Sequence, residues 1–364
     1  MTTIYELPTP ALLLDLDVLE RNLEWMAARC RALDVALRPH IKTHKCIEIA
    51  QRQIALGGQG ITVATLQEAR DFADHGFADI TWAFPVVLSR LEEIQRLADR
   101  ITLRVVVDSH TAIDALESLR CPLHVWLKID CGYHRAGVAP DDPIAEALAA
   151  RLAASDRLSF DGLLTHSGHA YAGPGRAEAL AAAREERDVT VGFAERLRAH
   201  GISVSAVSVG STPAMRAIDS LDGVSEARPG NYAFFDYTQV TLGSCTPAEC
   251  ALTVLATVVS SRPSADHAVV DAGALALSKD TGGKGTVPGT MGETYRDYAL
   301  GVLHGGQRLI ALSQEHGVMR GSLTVGERVR ILTNHSCLAA ACFDEYWVVQ
   351  GPDVVDRWPI LRHR

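Results

Sequence analysis

The chain has 364 residues, 47% hydrophobic and 22% charged, with 35 Lys+Arg against 44 Asp+Glu for a formal net charge of −9. This is the balance of an ordinary globular protein, and its acidic surplus argues against a nucleic-acid or anionic-membrane partner. No run of about 18 apolar residues predicts a membrane span, Met1-Thr2-Thr3-Ile4-Tyr5-Glu6 lacks a signal-peptide pattern, and the eight scattered cysteines suit free thiols or ligands in a cytoplasmic protein.

The length allows two domains. Pro10-Ala11-Leu12-Leu13-Leu14-Asp15 is an apolar run ahead of an amphipathic helix over 18–33, where Val18, Leu19, Leu23, Met26, Ala27, Cys30 and Leu33 recur at helical spacing. From about 35 to 235, short apolar runs alternate with helix-period segments. Strands are expected near 35–42, 60–65, 79–84, 102–108, 122–130, 159–166, 204–210 and 224–232. Helices are expected near 44–56, 66–75, 87–99, 110–119, 141–154, 175–200 and 212–219. Continuous apolar runs such as Leu103 to Val107 mark buried parallel strands, and the alternation implies right-handed crossovers. Eight strands favour a TIM-type (β/α)8 barrel over residues 18–243 rather than a doubly wound open sheet. After 243 the helical period weakens, and 251–260, 267–271, 328–333 and 346–349 read as strands. They predict a mostly β domain over 244–364 that also takes the N-terminal strand 8–17.

Active sites of such barrels gather at the C-terminal ends of the strands. Lys42, within Arg38-Pro39-His40-Ile41-Lys42-Thr43-His44-Lys45, ends the first strand; Asp108 ends the fourth; Asp130 ends the fifth, ahead of Cys131-Gly132-Tyr133-His134-Arg135. His166 ends the sixth and is followed by Gly168, His169 and Tyr171. Gly210-Ser211-Thr212 ends the seventh, and Arg228-Pro229-Gly230-Asn231-Tyr232 falls in or after the eighth. Plainer readings exist: Asp108 and Asp130 as helix caps, Arg38 to Lys45 as a solvated basic turn. A rim lysine that is desolvated, however, has a lowered pKa and can form a Schiff base. Gly210-Ser211-Thr212 offers N–H groups and hydroxyls at a helix start, Gly230-Asn231 permits close backbone approach, and Tyr232 adds a phenolic donor. These are the two loops in which barrels often hold phosphate, and phosphate plus a rim lysine points to pyridoxal phosphate.

In the β domain, Asn334-His335-Ser336-Cys337 follows the strand run Val329-Arg330-Ile331-Leu332. If the extended conformation continues, His335 and Cys337 share one side and can hold Zn2+ with positions open for substrate. The plainer reading is a buried cysteine beside a surface histidine. Ser313-Gln314-Glu315-His316-Gly317 reads as a group behind the metal or facing substrate.

These motifs, with Thr9-Pro10-Ala11-Leu12, His166-Ser167-Gly168-His169-Ala170-Tyr171 and Val209-Gly210-Ser211-Thr212-Pro213, run the length of the chain. They resemble the metal-dependent, fold-type III pyridoxal phosphate enzymes of the D-serine dehydratase and D-threonine aldolase family, which includes D-threo-3-hydroxyaspartate dehydratase. The resemblance implies Lys42, not Lys45, as the Schiff-base lysine, in line with Lys45 lying in the helix that follows. It implies that Arg135, His166, Tyr171 and the loops at Gly210 and Gly230 hold the cofactor. His335 and Cys337 would hold Zn2+, with Mn2+ or Mg2+ as substitutes, and a homodimer would share the site between subunits. The implied substrate is a small 3-hydroxy-D-amino acid. A thiolate ligand suits Zn2+, whereas the carboxylate of the His-x-Asp pair in some aldolases suits Mn2+ or Mg2+. His335/Cys337 therefore leans toward a dehydratase that yields keto acid and ammonia. The alternatives are retro-aldol cleavage to glycine and aldehyde, with His166 or His169 as base, and a racemase or a non-catalytic pyridoxal phosphate carrier. His40 and His44 receive no role.

Overall fold

The computed structural model describes residues 2–283 and 287–362. Ala36–Leu37, Ile61–Val63, Asp79–Pro85, Thr102–Val107, Leu123–Lys128, Leu158–Leu164, Ala206–Val209 and Glu226–Ala227 form one parallel sheet. The eighth strand pairs with the first, Ala36 opposite Glu226, and the first reaches the second through a bridge between His40 and Thr62. The sheet thereby closes as the expected (β/α)8 barrel. The first and last strands are only two residues long; Pro39 and Pro229 follow them closely and have no N–H to give a ladder.

Seven helices connect the strands: Ile47–Ala55, Leu66–Asp74, Leu91–Ala98, His110–Glu117, Pro143–Ala153, Arg176–Ala199 and Thr212–Ala217. Side chains of Thr65, Ser109, Asp142 and Ser211 accept first-turn N–H groups and set where four of them begin. Asp108 and Asp130 are not caps, contrary to the plainer reading. Asp108 accepts the Gly137 N–H at 3.1 Å, and Asp130 accepts those of Gly132 and His134 at 3.0 and 2.9 Å. Both carboxylates shape the loop that carries Arg135.

The second sheet has nine strands: Ala11–Asp15, Leu252–Arg262, His267–Val270, Gly292–Asp297, Val302–Leu312, Gly317–Arg320, Arg328–Leu332, Glu345–Gln350 and Asp353–Pro359. Ala11–Asp15 lies inside it, antiparallel to Leu252–Arg262 and parallel to Glu345–Gln350, with all five residues buried. Four strands escape the sequence pattern, among them Val302–Leu312, whose His304-Gly305-Gly306 stretch is exposed. Little apolar alternation survives where few side chains need burial. The helix Leu16–Ala32 touches both the first barrel strand and Glu345–Gln350. Asp15 accepts the Val18 N–H at 2.9 Å to start it, and Val18, Leu19, Leu23, Met26, Ala27 and Cys30 form its buried face. One hydrophobic core joins the two sheets across it. Among the described residues no helix is long and apolar enough to cross a membrane.

Candidate active site

A cavity of about 670 Å³ lies over the C-terminal ends of the barrel strands, and Asp280, Gly282, Gly283, His335 and Cys337 of the β domain complete its wall. Lys42 stands in it on the short 3-10 turn Ile41–Thr43, beyond the hydrogen-bonded part of the first strand. Both domains hold this turn. Tyr346 donates its hydroxyl to the His44 carbonyl at 2.7 Å, the Leu361 N–H reaches the Lys45 carbonyl at 2.8 Å, and Thr43 Oγ1 lies 3.4 Å from Cys337 Sγ. The loop after the eighth strand packs against the turn because residue 230 is glycine: a Cβ there would stand 2.7 Å from the His40 carbonyl oxygen.

The neighbouring charged residues separate cleanly. Lys45 precedes the helix Ile47–Ala55 rather than lying in it, and its ammonium meets Glu68 at 3.2 Å, away from the cavity. His44 is fully buried, its Nε2 3.2 Å from Gln53 and its Nδ1 accepting the Cys46 N–H at 3.1 Å. Burial pulls its pKa down to about 3, so it packs as a neutral ring. Lys42 is open to the cavity but walled by protein. Burial lowers its pKa and Arg135 adds to this, while Cys337 and Glu68 oppose it.

His166 also lines the cavity. Burial, then Lys42, Lys128, Arg135 and Arg228, hold its imidazole neutral, far below its ordinary pKa. His40 lines the cavity and is held neutral in the same way, by burial first and Lys42 next. His169 was expected beside His166 but does not line the cavity, and its Nε2 lies 3.2 Å from Glu185. The 3-10 turn Gly168–Tyr171 carries His169 outward and Tyr171 inward. Burial pushes the Tyr171 hydroxyl's pKa up, and Cys337 and Asp236 add to this.

Gly210, Ser211, Thr212, Gly230 and Asn231 border the cavity. Gly210 adopts φ +110°, and its N–H donates to Glu186 at 3.1 Å. That buried carboxylate also accepts the Ser167 N–H and hydroxyl at 2.9 and 2.7 Å, tying the sixth and seventh strand ends together. Tyr232 corrects the sequence reading. Its side chain is fully buried and its hydroxyl accepts from Gln53 at 2.9 Å; only its N–H turns toward this region, to Thr212 Oγ1 at 3.0 Å. The 3-10 turn Asn231–Ala233 sends the ring into the core. The first-turn N–H groups of Thr212 and Asn231 have no intrahelical acceptor. With Lys42 across a cavity of this size, these loops fit pyridoxal phosphate.

His335 and Cys337 both line the cavity, though not on an extended segment. His335 precedes the short helix Ser336–Ala340, and the helix start turns both side chains inward. His335 Nδ1 lies 2.8 Å from Asp280 Oδ2, which leaves Nε2 for a ligand. Cys337 Sγ receives Asn231 Nδ2 at 3.6 Å. Asp236 holds that amide at 2.8 Å and the Ser336 N–H at 3.0 Å. Burial alone raises the Cys337 pKa, but His335 and the Thr43 hydroxyl bring it below the ordinary thiol value. Among the described residues no third His, Cys, Asp or Glu completes a metal cluster. An imidazole and a thiolate with further positions open fit a catalytic metal. Gln314, Glu315 and His316, expected near it, sit on an exposed turn outside the cavity.

Sequence reasoning placed Arg228 at the rim without a role, and missed Lys128, Asp236 and Asp280 in the wall and Glu186 behind it. Only Lys128 left a signal, as a cation inside the apolar strand run Val125-Trp126-Leu127-Lys128-Ile129. The others matter through partners distant in sequence.

The family model "Alanine racemase, N-terminal domain" matches residues 14–238, and "Putative serine dehydratase domain" matches residues 251–349. The chain is 36% identical to the D-threo-3-hydroxyaspartate dehydratase of Delftia sp. (strain HT23), over 99% of this chain and 98% of the relative. A solved structure of a cysteine-to-alanine D-threo-3-hydroxyaspartate dehydratase variant in the metal-free form superposes with TM-score 0.93 at 35% identity, covering 100% of both chains. That of D-threonine aldolase from Filomicrobium marinum superposes with TM-score 0.88 at 33% identity, covering 99% of this chain and 97% of that one. The chain therefore belongs to the alanine-racemase-like, fold-type III pyridoxal phosphate enzymes, within the D-serine dehydratase and D-threonine aldolase family.

Proposed function

We propose that the protein is a pyridoxal phosphate- and Zn2+-dependent lyase that dehydrates 3-hydroxy-D-amino acids of the D-serine and D-threo-3-hydroxyaspartate type to a keto acid and ammonia. The observation that carries this reading is one cavity shared by Lys42, two glycine loops suited to phosphate, and the His335/Cys337 pair. Overall, the α-proton and β-hydroxyl leave as water, and hydrolysis of the resulting enamine consumes a water and frees ammonia. When bound, the cofactor supplies an electron sink and the metal a Lewis acid for the departing hydroxide.

Lys42 would hold the cofactor, and its Nζ, once displaced by the incoming substrate amine, would take the α-proton, a task that the lowering of its pKa by burial favours. The loops at Gly210 and Gly230, with Tyr171, would hold the phosphate, and Arg135 would hold the ring. His335 Nε2 and Cys337 Sγ would hold the metal, with Asp280 fixing the imidazole. The thiolate supports Zn2+ over Mn2+ or Mg2+. Neutral His166 supports a second reading, retro-aldol cleavage with that imidazole taking the β-hydroxyl proton. Phe84, 52% exposed at the cavity, and Leu338, 43% exposed beside Cys337, support a second subunit covering the mouth; light scattering reads that mass. The deciding assay incubates the holoenzyme with D-serine, D-threonine and D-threo-3-hydroxyaspartate. Keto acid plus ammonia supports dehydration, glycine plus aldehyde supports the aldolase, and neither product sinks both.

A further inference from the structure

Lys128 ends the fifth barrel strand and lines the cavity while only 9% exposed. Among the described residues its ammonium makes no hydrogen bond or ion pair, which is unusual for a buried lysine. Of the other cations in the cavity, Lys42 is assigned to the cofactor and Arg135 also has no ion pair among the described residues; the remaining charges are held by protein groups. Arg228 donates to Ser208 Oγ and the Thr165 carbonyl. Arg135 lies over the Tyr133 ring, 4.9 Å from its centroid. Asp280 holds His335, and Asp236 holds Asn231, Ser336 and the Gln239 N–H. Glu186, the acid behind this wall, is committed to Ser167 and Gly210.

The stem of Lys128 is held in place. Gly137 folds back over it at φ +107°, where a Cβ would come within 2.9 Å of the lysine Cγ. The Gly137 N–H is fixed on Asp108 at 3.1 Å, and Val138 pairs with the strand end through the Lys128 carbonyl at 3.0 Å. Methionine would fill that slot without the desolvation cost of a charge. Burial, aided by Arg228 and Arg135, draws the Lys128 pKa down to about 7, as expected of an ammonium whose counter-ion has yet to arrive.

If the reading above holds, the cofactor phosphate lies at the Gly210 and Gly230 loops, and the anion left for Lys128 is a carboxylate of the amino-acid substrate. We propose that Lys128 is a carboxylate-binding subsite for that substrate. The carboxylate comes either from the α-position, common to every amino acid, or from the side chain of a dicarboxylic one.

The test titrates holoenzyme, wild type and Lys128→Met, with D-alanine and D-aspartate. Neither ligand has a β-hydroxyl to lose, and binding is read from the change in the cofactor's visible absorbance. Losing one charge-assisted contact is expected to raise Kd about ten- to hundredfold. A rise for both ligands assigns the α-carboxylate. A rise for D-aspartate alone assigns the side-chain carboxylate, and the preference for D-threo-3-hydroxyaspartate over D-serine then falls by the same factor. Unchanged Kd values for both ligands overturn the subsite, as does a loss confined to kcat with KM unchanged. Lys128→Gln carries the same titrations if Lys128→Met does not retain cofactor. Wild-type keto acid formation with no effect of either variant sinks the subsite alone, whereas a wild type inert toward every 3-hydroxy-D-amino acid sinks the functional reading.

Discussion

At the starting ends of the barrel strands, Arg38 pairs with Glu226 at 2.7 Å and Asp79 at 2.5 Å, and Arg104 pairs with Asp161 at 2.9 Å. At the finishing ends, Lys42, Lys128 and Arg135 line the cavity without an ion pair among the described residues. The two ends carry similar cations. One set is neutralised within the chain and serves the fold; the other has no acidic partner among the described residues. Unpaired charge in a partly dry cavity is costly, and it persists where a ligand repays it.

The sharpest test of this contrast is Lys42→Ala. It is expected to abolish the cofactor's visible absorbance band and lower kcat by more than about a thousandfold, with little change in thermal stability. A retained band would remove the lysine assignment. At the opposite end, Glu226→Gln is expected to cost about 3 kcal/mol in urea unfolding, because it leaves buried Arg38 short of its partner. The kcat of the folded fraction should stay near wild type; a large fall would mean that the starting ends also serve catalysis. Cys337→Ala, or exhaustive chelation, is expected to cost roughly a hundredfold in kcat/KM, and chelated protein should recover on adding Zn2+. Full activity after chelation would end the metal's role. Asp280→Asn should weaken metal binding about ten- to hundredfold, read directly by competition with a chromophoric chelator; unchanged affinity would show that the His335 contact does not orient the ligand.

The smallest effect is a pH dependence. His44 has a folded pKa of about 3, below its unfolded value, so the unfolded chain binds the extra proton first. The stability it contributes is complete above the unfolded pKa of about 6.5 and is lost as pH falls toward the folded value. Resistance to urea should therefore weaken as pH falls from neutral to about 4. In His44→Gln that slope should shrink; an unchanged slope would assign it to other groups.

Much of this was legible in the chain. The barrel strands are buried on both faces, so each reads as a short apolar run between helical segments. Lys42, Gly210 and Gly230 stand out because turn and rim chemistry is local. Tyr232 and His169 misled because single 3-10 turns decide whether a ring faces the cavity or leaves it, and composition does not encode that rotation. His335 and Cys337 were recognised as a pair on the wrong geometry, an extended strand in place of a helix start.

The sequence by itself determined the class of fold, the rim position of Lys42, the glycine loops and the His335/Cys337 pair, because each is a local pattern set by periodicity, backbone freedom or side-chain chemistry. Tertiary structure alone decided which charges stay unpaired. Glu226 neutralises Arg38 from 188 residues away, Asp280 orients His335 across 55, and among the described residues no acid closes on Lys128. Burial and pairing are properties of the folded neighbourhood, and they separate a cation neutralised within the fold, such as Arg38, from one left unpaired at a cavity wall, such as Lys128.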